Sequence, residues 1–177
     1  LAGCEAAWQI ANRGIEVELY EMRPALMTPA HKTGNLAEIV CSNSLGSENK
    51  NERISAAGIL KEELKIFGSL ILSCAEKSRV PAGGALAVDR EKFSELVNEK
   101  IISHEKIKLI REEYKKIPDD ELTIISSGPL TSDALAQELK NIAGERIYFY
   151  DAVAPVLMKE SIDFEKVFIS GRYGRGD

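Results

Sequence analysis

Apolar and polar positions recur along this chain with two different periods, and the places where one period gives way to the other mark out its elements. Cys4 to Arg13 sets Ala6, Ala7, Ile10 and Ala11 at helical spacings, and Gly14 follows as a natural stop, which predicts a helix. Ile15-Glu16-Val17-Glu18-Leu19-Tyr20 then alternates strictly and predicts a strand, ended before Pro24. From Met22 to Asn51 the chain is polar and punctuated by Pro24, Pro29, Gly34 and Gly46, the pattern of a long surface loop. Such loops tend to carry function. A helix is expected over Ser55 to Lys77, with Ala57, Leu60, Leu64, Phe67 and Ile71 as its apolar stripe and Gly68 as a point of interruption. A short strand, Ala85 to Val88, leads into a helix capped by Asp89, with Phe93, Leu96, Val97 and Ile101 facing inward. Further strands are expected at Ile107 to Tyr114 and Leu122 to Ser126. Gly128-Pro129 then turns the chain, and Thr131 or Ser132 caps a helix over Ala134 to Ile142. Strand-like segments follow at Ile147 to Tyr150 and Val167 to Ser170. This alternation predicts an α/β architecture with a mostly parallel sheet.

Composition changes that picture little but excludes several functions. With 177 residues, 44% hydrophobic and 29% charged, the chain has an ordinary globular make-up of one domain or slightly more. Its longest nearly uncharged apolar stretch, Ile66 to Ala75, is broken by Gly68 and Ser69 and is about half of the roughly 20 residues a bilayer requires, so no membrane span is expected. A net charge of −5 provides no general basic field for a polyanion. Cys4, Cys41 and Cys74 form neither a disulfide framework nor a tetrahedral zinc set, and a reducing cytoplasm is the simplest setting. With only His31 and His104 in the chain, no metal site is expected. The sequence opens at Leu1 on a helix-like run and stops at Asp177, and is read as an excerpt of a longer protein, incomplete at both ends.

Four places could carry chemistry. Leu1-Ala2-Gly3 runs into a helix, and the strand that follows ends at Glu21, 18 positions after Gly3. In a dinucleotide-binding βαβ unit, the last glycine of the turn permits close packing, the helix N-terminus faces the pyrophosphate, and an acidic residue about 20 positions on binds a ribose hydroxyl. A glycine at a helix start and a surface glutamate after a strand fit the same residues equally well. Ser126-Ser127-Gly128-Pro129 follows an apolar strand-like run, where small residues let a ligand approach the backbone, although any strand-to-helix turn looks alike. Cys41 lies in the long loop within Val40-Cys41-Ser42-Asn43-Ser44-Leu45 and is either a reactive thiol or a small buried hydrophobe, whereas Cys4 and Cys74 fall in predicted helices and read as structural. His31, in Thr28-Pro29-Ala30-His31, is an acid, a base or a ligand for an anion, or simply a solvated loop residue.

Together these stretches resemble the folate- and FAD-dependent tRNA (uracil-5-)-methyltransferase family. The resemblance rests on Leu1-Ala2-Gly3-Cys4-Glu5-Ala6-Ala7-Trp8, Tyr20-Glu21-Met22-Arg23-Pro24, Ala37 to Leu45, Leu60-Lys61-Glu62-Glu63, Val80 to Arg90, Gly128 to Ser132 and Phe149 to Ala152, in the family's order over essentially the whole chain. It implies a Rossmann-like FAD-binding domain over residues 1–150, with 151–177 continuing it or leading into a second domain. Leu1, Ala2 and Gly3 are then expected at the pyrophosphate and Glu21 at the adenosine ribose, with Arg23 and the Ser127-Gly128-Pro129 turn nearby. Cys41 matches one of two catalytic cysteines. The implied reaction moves a one-carbon unit from methylenetetrahydrofolate to C5 of a T-loop uridine in tRNA, with flavin as carrier and NAD(P)H as reductant. A thiol is needed because C5 of uracil becomes nucleophilic only once a thiolate has added at C6, after which a base removes the C5 proton.

Three departures accompany the resemblance. The second family cysteine lies beyond Asp177, so this stretch alone is not expected to methylate. Gly46 stands where the family usually has a basic residue, and Gly171 where it commonly has serine. A related flavoprotein family, which modifies the wobble uridine with a carboxymethylaminomethyl group, shares the Ala-Gly-Cys-Glu-Ala-Ala run but carries a Cys-Asn-Pro motif where this chain has Cys41-Ser42-Asn43-Ser44. A non-catalytic flavin-binding or RNA-partner module is the remaining alternative.

Overall fold

The structure, a computed structural model, describes residues 1–48, 55–144 and 158–167. Helix α1 (Ala2–Ala11) is built from helix formers and buries Cys4, Ala7 and Ala11, at spacings of three and four, against the core. The chain then reverses into β1 (Val17–Tyr20), which begins two residues later than its alternation suggests because Ile15 is exposed. Val17 and Leu19 face inward while Glu18 and Tyr20 face solvent. Strand β1 pairs in parallel with β5 (Ile107–Ile110), with Val17 opposite Ile107 and Tyr20 opposite Ile110. The strand expected over Ile107 to Tyr114 therefore stops where Arg111 turns its side chain to the long loop.

A second, antiparallel sheet lies within the span between these two strands. Its central strand β4 (Ala85–Val88) is flanked by β2 (Ser44–Ser47) and β3 (Arg79–Val80). Leu86, Ala87 and Val88 are all buried, as expected for the middle of a covered sheet. Strand β2 lies inside the stretch read as loop. Its polar sequence carries no alternation, and its ladder to β4 forms through tertiary pairing, with an irregularity between Ser44 and Ser47. Arg79 grips Glu48 with two bonds of 2.8 and 2.7 Å and ties the outer strand β3 to the end of β2. The fold class is thus α/β, with the expected parallel pairing joined by an antiparallel sheet.

The long helix expected over Ser55 to Lys77 is two helices, α2 (Ala56–Ile66) and α3 (Leu70–Lys77). Gly68 adopts φ +70°, which a residue with a side chain rarely does, and Ser69 starts the new helix by accepting from Leu72 N at 3.1 Å. Glu5 of α1 reinforces that start, accepting from Ser69 Oγ at 2.8 Å and from Ile71 N at 3.0 Å. The stripe assigned to the first half is not core: Leu60, Leu64 and Phe67 are exposed, as are Ile59 and Ile66 beside them. Helix α4 (Arg90–Ile102) matches its pattern, with Asp89 capping Lys92 N and with Phe93, Val97 and Ile101 inaccessible to solvent. Each of these side chains contributes about 1.5–3 kcal/mol through burial.

Beyond β5, the run Leu122 to Ser126 is not a strand. No strand among the described residues pairs with it, and Leu122 and Ile124 are exposed, so an apolar sequence without a partner ladder stays irregular. A short 3₁₀ turn (Gly128–Leu130) leads to α5 (Asp133–Ala143), capped by Ser132, whose Oγ accepts from Leu135 N. The segments expected as strands at Ile147 to Tyr150 and after Val167, the boundary proposed at residue 150 and Gly171 lie outside the described residues. Among the described residues, no helix is long and apolar enough to cross a membrane.

Candidate functional site

The N-terminus of α1 meets the turn after the irregular run. A Cβ added to Gly3 would lie 2.7 Å from Ser126 Oγ, so the absence of a side chain there lets the helix start and the Ser126–Pro129 segment touch. Glu5 N donates to Leu1 O at 3.1 Å as the first bond of the helix, and no side chain caps the turn. The amides of Ala2, Gly3 and Cys4 precede that bond and present the positive end of the helix dipole. In the turn itself, Thr131 Oγ1 lies 2.6 Å from Ser127 Oγ and donates to Gly128 O at 2.6 Å, which holds Ser127, Gly128 and Pro129 in one tight unit. The structure thus brings Gly3 and the 126–129 turn together, two features that lie far apart in sequence.

Glu21 ends β1 at the same side, and its partner is Arg23. The Arg23 guanidinium donates to Glu21 through Nε and Nη2, both at 2.9 Å, and through Nη1 to Glu38 at 3.1 Å and Thr33 O at 3.4 Å. Arg23 is only 4% exposed, so the residue expected beside a cofactor is also the buried post around which the long loop is wound. Glu38 completes the knot by accepting from Lys32 N, Thr33 N and Thr33 Oγ1 at 2.9–3.0 Å, with Ala37 before it at φ +55°. Burial would raise both carboxyls. Arg23 outweighs it at Glu21, and the Lys32 and Thr33 donors outweigh it at Glu38, so both lie below the usual carboxylate range. Arg111, just past β5, donates to the carbonyls of Arg23 at 2.9 Å and Gly34 at 2.6 Å, and Leu36 N donates to Asn98 of α4 at 3.4 Å. His31 sits on the same knot with Nδ1 2.6 Å from Thr28 Oγ1, and partial burial together with the Arg23 charge lowers its pKa.

Cys41 follows that knot on an exposed stretch, whereas Cys4 and Cys74 are buried and burial pushes both of their thiols up. Two residues later, Asn43 is locked to the end of β4: its carbonyl accepts from Val88 N at 2.9 Å and its Nδ2 donates to Val88 O at 3.2 Å. Arg90, the first residue of α4, donates from Nη2 to the carbonyl of Cys41 at 2.9 Å. Gly46, at φ +85°, lies in β2 beside Lys61 of α2, whose Nζ donates to Ser47 O at 2.9 Å. Sequence reasoning from the residues alone missed Glu38, Arg90, Asn98 and Arg111, which reach partners as far as 88 positions away. An open cleft of about 340 Å³, lined by Trp8, Lys65, Cys74, Lys77 and Lys100 among others, includes none of the expected site residues.

Comparison with known proteins places these residues in context. Residues 1–177 match the family described as glucose inhibited division protein A. The chain is 58% identical over 177 residues to methylenetetrahydrofolate--tRNA-(uracil-5-)-methyltransferase TrmFO of Aquifex aeolicus, covering 99% of this chain and 39% of that protein. The proteins of the same name from Desulforudis audaxviator and Geobacter sulfurreducens are 57% and 56% identical, each match covering 100% of this chain and 40% of the relative. The chain therefore spans about two fifths of the length of the curated relatives it matches.

Proposed function

Because the chain belongs to the glucose inhibited division protein A family, we propose that it forms the flavin-binding portion of a folate-dependent tRNA uracil-5 methyltransferase, the activity for which the relatives above are named. Residues 1–150 make up the flavin-binding domain, and residues 151–177 continue it or lead into the next. The observation that carries the reading is Cys41, the exposed thiol among three cysteines, held on a loop anchored to both sheets.

The residues present fit FAD. The uncapped first turn of α1 suits a diphosphate, Gly3 lets the Ser126–Pro129 turn lie against that helix start, and Glu21 ends the adjacent strand as an acceptor for a ribose hydroxyl. Leu1, Ala2 and Gly3 hold the diphosphate through backbone N–H groups, and Ser127, Gly128 and Pro129 form the opposite wall. Arg23 fixes Glu21 through its two-pronged pair. Bound FAD supplies the two-electron chemistry by which the methylenetetrahydrofolate carbon is carried and reduced, with NAD(P)H as the source of electrons. Cys41 provides one of the two thiols that the uracil chemistry uses. A thiolate that adds to C6 makes C5 nucleophilic, and a base removes the C5 proton afterwards. The T-loop uridine leaves its folded loop to reach such a site. A tRNA substrate places the protein in the cytoplasm.

The test is nucleoside analysis of an unmodified tRNA transcript treated with the intact protein, FAD, NAD(P)H and methylenetetrahydrofolate. Folate-dependent 5-methyluridine at a T-loop position is expected. A carboxymethylaminomethyl group at the wobble uridine, or no modification by flavin-loaded protein, contradicts the reading.

A further inference from the structure

We propose that Arg90 is the positioning residue that holds the Cys41 loop in its working conformation; the proposal rests on the reading of Cys41 given above. Val40, Cys41 and Ser42 lie between two anchored points, the Arg23–Glu38 knot and the Asn43–Val88 lock. Across that gap, apart from the 3.4 Å bond that Ser42 Oγ accepts from Ser44 N at the start of β2, the bond from Arg90 Nη2 to the Cys41 carbonyl at 2.9 Å is the only hydrogen bond among the described residues that ties these three residues to another element. The Cys41 thiol itself makes only a local 3.9 Å contact with Ser42 O. Without Arg90, the carbonyl and the side chain on the same Cα swing together. The thiol then loses the fixed direction that either thiol role in the uracil chemistry requires, since about 1 Å of misplacement can cost 10²-fold in rate.

The anchor itself is firm. Arg90 opens α4 directly after Asp89, whose carboxylate caps Lys92 N at 3.0 Å and whose amide donates to Ser78 O at 2.8 Å. Three residues on, Phe93 is wholly buried. Among the described residues, Arg90 forms no ion pair that would draw its guanidinium elsewhere. Charge assistance makes a guanidinium–carbonyl bond stronger than a neutral one.

The experiment compares Arg90→Ala and Arg90→Lys with the parent in the intact, FAD-loaded protein. Loss of one charge-assisted bond at this exposed position corresponds to about tenfold more frequent opening of the loop in Arg90→Ala, read without substrate by hydrogen exchange at the Ser44 amide, which Ser42 Oγ holds at 3.4 Å. The kcat for tRNA methylation should fall at least about tenfold in Arg90→Ala with KM for tRNA within about twofold, and Arg90→Lys, which still reaches the carbonyl, should recover most of both. Unchanged exchange, an unchanged kcat, or a raised KM with kcat intact, the mark of a direct tRNA contact, overturns the proposal. A fully active Cys41→Ala variant would instead defeat the reading of Cys41, leaving the exchange result in place.

Discussion

Replacing Arg23 with methionine separates two roles for a residue that the family resemblance sets beside a cofactor. The side chain is 5% exposed and bonds to two carboxylates whose own side chains are 19% and 14% exposed. Removing one partner of such a buried pair typically costs about 3–5 kcal/mol, because the group left behind stays buried without compensation. Glu38 keeps three other donors, from Lys32 and Thr33, which moves the expected loss to the lower end, about 3 kcal/mol. Against a typical stability of 5–15 kcal/mol this is large, and in a chain of this size it corresponds to roughly 6–12 °C in Tm. Urea unfolding of the intact protein without flavin, followed by fluorescence, provides the assay, with Trp8, partly buried and edge-on against His104 at 5.4 Å, as a local reporter. A loss under about 1 kcal/mol, with only FAD affinity reduced, would refute the reasoning and make Arg23 a cofactor ligand with no part in holding the loop.

The same knot should make stability depend on acid. Glu21 and Glu38 have folded pKa values below 4.5, so their contribution is present above that value and is lost as pH falls through the lower folded values. The folded pKa of His31 is likewise depressed below 6.5, so the loss begins below 6.5 and steepens below 4.5. Glu38→Gln should flatten the steeper part in denaturant midpoints measured from pH 7 to pH 3, and an unchanged slope would count against it. Gly3→Ala inserts a methyl 2.7 Å from Ser126 Oγ, the end of a side chain that can rotate away. The fold should therefore survive within about 1 kcal/mol, while equilibrium titration shows FAD binding at least about tenfold weaker; parental affinity would remove Gly3 from the site.

What the sequence revealed and what it hid follow from the range of the interactions. Helices α1 and α4 were legible because their apolar spacing and the Asp89 cap are local signals, and the core they face is built from those same residues. The break at Gly68 was foreseen as a weak point, but the separate helix after it depends on Ser69 and on Glu5, which lies 64 positions away. Strand β2 was invisible because Ser44–Ser47 owes its conformation to β4 and has no pattern of its own. Leu122 to Ser126 is the opposite case, an apolar run that suggests a strand but that no described neighbour completes. At the site, Gly3, Glu21 and Cys41 were marked by residue type and position. The residues that hold the loop around Arg23 and Cys41, Glu38, Arg90 and Arg111, are ordinary charged residues in sequence, and only the fold brings them to their partners.

The central claim is that Cys41 is a working thiol on a flavin-binding scaffold. The most direct test is the rate of folate-dependent 5-methyluridine formation by the intact protein carrying Cys41→Ala, measured alongside its bound FAD. Loss of methylation, at least about 10³-fold, with parental flavin content and unchanged stability is the predicted result. Methylation at the parental rate would contradict the account and leave Cys41 an exposed loop residue without a chemical role.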